Sequence, residues 1–123
     1  TALHPIVAFD VSLPIRDMDA YTRAVTARLK EIQPGGRSVV FGHLGDSNIH
    51  IAFGPTSDKA AVEEVIYSEL APFNGAISAE HGIGLDKRAY LHHSRSATEI
   101  ALMKTIKAAL DPLNLLNPDK IFL

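Results

Sequence analysis

Cysteine is absent from the 123 residues, so disulfides and thiolate metal sites are both excluded. The absence suits a reducing compartment. No run of apolar residues approaches the ~18 needed to cross a bilayer. No block of like charge occurs either: twelve basic and fourteen acidic side chains leave a net charge of −2, which argues against a nucleic-acid or polybasic membrane surface. The Gly82-Ile83-Gly84 run is too short for a dinucleotide fingerprint, and the chain has no phosphate-cradling loop ending in Gly-Lys-Ser/Thr. It therefore has no nucleotide-binding fold of its own. Internal repeats and low-complexity stretches are missing too.

What is present is of ordinary globular composition, with 46% apolar and 21% charged residues. That is enough chain for one core and too little for two. Thr1 opens the sequence and strand-like residues begin at Pro5 or Ile6, so the chain is expected to be a piece cut from a longer polypeptide.

Residues 6 to 13 alternate, with Val7, Phe9, Val11 and Leu13 on one side and Ala8, Asp10 and Ser12 on the other, the pattern of a half-buried strand. Pro14 ends it. Asp17 offers a helix cap before a run to about Ile32 that carries Met18, Tyr21, Val25 and Leu29 on one stripe, and Pro34-Gly35-Gly36 breaks that helix. Strands over about Ser38–His43 and Asn48–Gly54 flank a Leu44-Gly45-Asp46-Ser47 turn, a β-hairpin. A helix follows from Ser57 or Asp58 to Leu70, with Ala61, Val65 and Ile66 inward, then a short fourth strand from Gly75 to Ala79. The order β-α-β-β-α-β predicts an α+β fold of the ferredoxin-like, split βαβ plan, an antiparallel sheet with both helices on one face. Extra C-terminal helices are expected near Asp86–Leu91 and over Ala97–Leu110.

Within the hairpin, His43 should face Asn48 and His50 should face Phe41, making the two histidines diagonal neighbours roughly 7 Å apart at Cβ. Imidazoles at that separation can share one ion with bonds of about 2.0–2.1 Å. Ile49, Ile51 and Phe53 form the opposite face, beneath the helices, which leaves the histidines on the bare side. Two ordinary surface histidines would give the same pattern.

Glu80 and His81 stand where the fourth strand meets a loop with two glycines, a place where backbone can approach a ligand closely. A carboxylate joined to two histidines is a three-ligand site with open positions; the alternative for Glu80 is a solvated strand-end charge. His81 diverges from Glu80 and is free to act as a base, or to hydrogen-bond the loop backbone instead. Lys87 and Arg88 could attract an acidic substrate, or simply be solvated. His4, His92 and His93 have no partners at metal spacing and are expected in exposed loops.

Four ordered segments resemble one family: Phe9-Asp10-Val11-Ser12-Leu13-Pro14; Gly42-His43-Leu44-Gly45-Asp46-Ser47-Asn48-Ile49-His50; Ser78-Ala79-Glu80-His81-Gly82-Ile83-Gly84-Leu85-Asp86-Lys87; and Leu110-Asp111-Pro112 with Leu116-Asn117-Pro118-Asp119-Lys120. They are similar to the C-terminal domain of FAD-linked oxidases, the flavoprotein 2-hydroxy acid dehydrogenases that include D-lactate dehydrogenase, the glycolate oxidase FAD subunit and D-2-hydroxyglutarate dehydrogenase. The resemblance implies that residues 1–123 form a single substrate- and metal-binding cap domain of such an oxidoreductase, with the FAD-binding domain upstream and absent from this chain. It further implies that His43, His50 and Glu80 hold a divalent ion, zinc or manganese, and that His81 is the catalytic base. Asn48 and Lys87 are the expected substrate contacts, and Asn117 is the expected contact to FAD.

The implied partners are the FAD-binding domain of the same polypeptide, docked on the bare sheet face, a small 2-hydroxy acid and an electron acceptor. A homo-oligomer is open, and the isolated domain is expected to be inactive. The expected compartment is the cytoplasm, with a membrane-peripheral position open through the full-length protein. Ser47 stands at a glycine position of the family's turn, where serine is tolerable if its φ is negative; the turn geometry is left open and the ligands are not affected. Ala8 and Ala52 stand where relatives acting on hydroxyglutarate carry lysine and asparagine, which disfavours a substrate with a distal carboxylate. Two other readings remain open: a ferredoxin-like binding or regulatory module without redox activity, and a hydrolase that activates water on the same ion.

Overall fold

The computed structural model describes residues 3–122. Alternation in the first segment produces strand β1, Val7–Ser12, and helix α1 follows over Met18–Ile32. The hairpin strands are β2, Arg37–His43, and β3, Asn48–Gly54, and they lead to α2, Lys59–Ser68, and finally α3, Ala97–Leu110. Short 3-10 turns occupy Ile15–Asp17, Leu44–Asp46, Ala71–Phe73 and Arg88–His93. The last of these is the helical piece expected near Asp86–Leu91.

The three strands form an antiparallel sheet in the order β1-β3-β2. Ala76 lies outside β1, exchanging backbone hydrogen bonds of 3.0 and 2.7 Å with Ser12. A segment next to β1 completes the spatial order of the split βαβ plan, as expected. The expected fourth strand nevertheless shrinks to that one bridge. The N–H groups of Ala79, Glu80 and His81 donate to the Asp10 side chain instead of to a strand neighbour.

The core lies between the sheet and helices α1 and α2. Phe9, Val11, Ile49, Ile51 and Phe53 meet Tyr21, Val25 and Leu29 of α1 and Val62, Val65, Ile66 and Tyr67 of α2. Each such side chain contributes about 1.5–3 kcal/mol on full burial. Tyr21 donates its hydroxyl to the Ile66 carbonyl at 2.9 Å, joining the two helices. On α2 the Asp58 cap accepts from Ala61 N–H at 3.0 Å. That rotation buries Val62 and leaves Ala61, expected inward, only half-buried.

Ser47 does not meet the condition of a negative φ. Its φ is +61°, because the single turn Leu44–Asp46 has to reverse the chain at once into β3, and its N–H reaches Leu44 O at 3.2 Å. Helix α3 begins with a reciprocal cap between Ser96 and Glu99, yet none of its residues is buried. Leu102, Ile106 and Leu110 form an open apolar ridge on it. Among the described residues no helix is long and apolar enough to cross a membrane.

Candidate active site

Sheet register fixes which side chains share the uncovered face. Asp10 pairs with His50, Phe41 with His50, and His43 with Asn48. Directly paired residues point the same way, so Asp10, His50 and Phe41 form one row across the sheet. Beside it lies the row Ser12, Asn48 and His43. The hairpin pairing is the one anticipated from the turn position, and both histidines are on the side away from the helices.

The His50 ring stacks on Phe41, with centroids 5.1 Å apart and planes 23° apart. The His43 ring stands edge-on to it at 6.1 Å. From the far loop, Glu80 brings Oε1 to 3.4 Å from His50 Nε2. Asn48 Nδ2 donates to the same Oε1 at 3.2 Å and lies 3.4 Å from His50 Nε2. His81 Nε2 stands 3.9 Å from Glu80 Oε1. His50, Glu80, His81 and Asn48 thus converge, although two come from the hairpin and two from the loop after Ala79.

Two donors on a tetrahedral ion with bonds of about 2.0–2.1 Å lie about 3.4 Å apart, so His50 and Glu80 stand at the spacing of paired ligands. Asn48 is 3% exposed, and its buried Oδ1 has no hydrogen-bond partner, an acceptor in need of a donor or a cation. Among the described residues, however, no three His, Cys, Asp or Glu side chains gather as a ligand set. In this arrangement His50 and Glu80 form a two-point seat, and the His43 ring is beside it but outside a common coordination sphere.

The residue that sequence reasoning missed is Asp10. On a bare sheet face it should be solvated, but it is 2% exposed. The loop over 78–81 wraps its carboxylate. Oδ2 accepts from Ser78 Oγ at 3.1 Å and from the N–H groups of Ala79, Glu80 and His81 at 2.9, 3.0 and 3.2 Å. Oδ1 meets the Lys87 ammonium and lies 3.2 Å from His81 Nδ1. Burial alone would raise the carboxyl's pKa; the hydrogen bond from Lys87 and those from the Glu80 and His81 backbone outweigh it and hold the group well below the usual carboxylate range. The available signal was a lone acid between Phe9 and Val11 in the middle of an apolar strand, where an ionised side chain is rarely buried unless paired.

Lys87 lies inside the cluster, but its ammonium is committed. Besides Asp10 Oδ1 it reaches Ser78 Oγ at 3.0 Å and Asp10 O at 3.5 Å, which accounts for its three donors. Arg88 donates to the Asp119 carbonyl at 2.8 Å. Asn117 is exposed on the tail, and four residues on Ile121 N–H binds Gly84 O at 2.8 Å, so the tail is fastened to the glycine loop that follows His81. His93 is half-buried rather than in an exposed loop, with Nε2 3.5 Å from Glu64 Oε1.

Between His50 and His81 the face holds a cavity of about 110 Å³, lined also by Ala8, Phe41 and Ala52. Imidazoles and a carboxylate thus stand beside an apolar cavity on the one sheet face that the helices of this α+β domain leave open. The chain belongs to the family described as FAD linked oxidases, C-terminal domain, which matches residues 1–121.

Among its relatives, D-2-hydroxyglutarate dehydrogenase of Xanthomonas citri pv. viticola is 45% identical over 122 residues, covering 92% of this chain and 26% of that protein. The enzyme of the same name from Stutzerimonas stutzeri is 38% identical over 122 residues, with the same coverage of 92% and 26%. The mitochondrial D-2-hydroxyglutarate dehydrogenase of Danio rerio is 39% identical over 119 residues, covering 91% of this chain and 21% of that protein. The chain spans about a quarter of the length of the relatives it matches.

Proposed function

We propose that this chain is the substrate- and metal-binding domain of an FAD-dependent enzyme that oxidises a 2-hydroxy acid to the 2-oxo acid. The observation that carries the reading is the convergence of His50, Glu80, His81 and Asn48 on the open face of a domain from the FAD-linked oxidase family.

In this reading His50 and Glu80 hold a zinc or manganese ion, and the His43 ring, 6.1 Å from that of His50 and outside the sphere in this arrangement, turns inward to become the third ligand. Neutral imidazole and anionic oxygen suit either metal. Such an ion, when bound, lowers the pKa of the substrate hydroxyl, and the flavin, when bound, supplies the hydride acceptor. His81 takes the hydroxyl proton at Nε2, so that the electrons of the C2–H bond can leave as hydride. Asn48 orients the substrate through its unpartnered Oδ1, and Lys87 serves it at one remove, through Asp10. The substrate side chain occupies the cavity walled by Ala8, Phe41 and Ala52, whose lining contains no lysine or arginine. A small uncharged side chain fits that wall better than the distal carboxylate for which the relatives are named.

The FAD-binding domain of the same polypeptide docks on this open face, where Val39 and Phe41 are exposed beside the histidines, and Asn117 contacts the cofactor. The test is anaerobic mixing of the flavin-loaded full-length protein with a panel of 2-hydroxy acids. Flavin bleaching that is lost on metal removal and restored by zinc or manganese is expected. Bleaching by none of the acids, or bleaching indifferent to metal removal, would overturn the reading.

A further inference from the structure

We propose that Asp10 is a positioning residue for the pair His50 and Glu80: it captures the backbone of the loop 78–81 beside its own cross-strand partner and so sets how far Glu80 reaches. The inference deepens the proposed function and rests on its reading of His50 and Glu80 as ligands.

Three consecutive N–H groups, those of Ala79, Glu80 and His81, converge on Asp10 Oδ2, and Ser78 Oγ adds a fourth donor. Successive backbone N–H groups turned to one point form a nest, a concavity for an anion. Here the chain supplies the anion itself. Lys87 closes the other oxygen and donates to Ser78 Oγ at 3.0 Å, so the carboxylate is held at both ends.

Sheet register turns this anchor into a ruler. Asp10 is the residue of β1 directly paired with His50 of β3, and paired side chains have Cβ atoms about 4.5–5.5 Å apart on one face. The loop is therefore caught next to the His50 ring, and from that backbone Glu80 Oε1 stands 3.4 Å from His50 Nε2. The Glu80 side chain is half exposed and held by Asn48 Nδ2 at 3.2 Å. One such bond does not fix a loop. Four donors on a single acceptor, in a side chain shielded from water at 2% exposure, do so much more firmly.

The test uses the flavin-loaded full-length protein stripped of metal, as wild type and as Asp10→Ala, with two readouts. Hydrogen exchange reports the loop. The amides of Ala79, Glu80 and His81 are expected to exchange slowly in wild type and quickly in Asp10→Ala, while those of Ile49 and Ile51 in β3 stay slow in both. Titration with Mn2+ reports the seat, and the substitution should weaken binding by about 10–100-fold, the range for partners that orient metal ligands. Formate carries the deleted carboxylate and should return both readouts toward wild type, whereas chloride at equal ionic strength should not.

Fast exchange of the three loop amides in wild type would overturn the proposal without any variant, so the test survives an Asp10→Ala protein that fails to fold. A folded variant that keeps the loop amides slow or binds Mn2+ as tightly as wild type would overturn it as well, and so would a loss that formate and chloride treat alike. Failure of the underlying reading is seen separately, as a wild-type protein that holds flavin but binds neither Mn2+ nor zinc; the exchange readout then still decides whether Asp10 places the loop.

Discussion

His50 Nε2 and Glu80 Oε1 stand 3.4 Å apart, one in the middle of β3 and the other on a loop far along the chain. With His81 beside them but turned toward Asp10, the proposed function gives the holding of an ion and the moving of a proton to different side chains. His43→Ala and Glu80→Ala should lose both metal and turnover, whereas His81→Ala should lose turnover at near wild-type metal content. Metal analysis of the purified variants decides it, and equal metal in all of them would remove the division of roles.

Ala8 and Ala52 sit side by side in the sheet register and wall the cavity next to His50. Ala8→Lys introduces a cation on the open face without disturbing the core. A charge-assisted hydrogen bond of about 1.5–3 kcal/mol should shift relative kcat/KM toward acids with a distal carboxylate by about 10–100-fold. An unchanged preference across a series of mono- and dicarboxylic 2-hydroxy acids would show that the side chain lies elsewhere.

Asp10→Ala strips the loop 78–81 of its acceptor and leaves the half-buried Lys87 ammonium without its partner. Loss of a buried pair by deleting one member costs about 3–5 kcal/mol. Because the folded carboxyl titrates below its ordinary value of 3.8, its stabilisation is complete above that value and fades as pH falls through it toward the folded pKa. Urea unfolding of wild type and variant should therefore differ fully at neutral pH and converge below about pH 4.

Ser47 holds φ at +61°, a region that costs a side-chain-bearing residue roughly 1–2 kcal/mol, offset in part by the greater freedom of glycine when unfolded. Ser47→Gly should raise stability by up to about 1 kcal/mol and leave metal binding unchanged. A lower denaturation midpoint would mean that the serine hydroxyl is used in the turn.

The ridge of Leu102, Ile106 and Leu110 continues into Leu113 and Leu116, all exposed, with Leu110 at 79% and Leu113 at 76%. Apolar surface of this kind drives association. Leu110→Gln with Leu113→Gln should weaken self-association of the chain in sedimentation equilibrium while changing stability by no more than about 0.5 kcal/mol. A wild-type chain that stays monomeric throughout would exclude the ridge as a self-contact.

Local pattern carried most of the scaffold. The bounds of β3 and α3, the stripe Met18, Tyr21, Val25 and Leu29, and the facing of His43 and His50 all follow from periodicity and turn position. The expected fourth strand did not survive beyond Ala76, and the buried Asp10 was unforeseen, for one shared reason. Strand alternation describes the two faces of a sheet but says nothing of a loop that folds back across one of them. The loop's N–H groups had two destinations, a neighbouring strand or a carboxylate, and only the tertiary arrangement decides between them. The same limit applies to Lys87, whose sequence neighbourhood gives no hint that a strand residue will neutralise it.

Asp10 is also a guard on alignment. Were β1 to slip by a single position against β3, every side chain of the strand would change faces, and this acid would be driven among Tyr67, Ile51 and the helices with neither Lys87 nor the loop to meet it. The misaligned sheet would be penalised by a naked charge in oil, so the residue that organises the histidine and glutamate also selects the one pairing of strands in which they can come together.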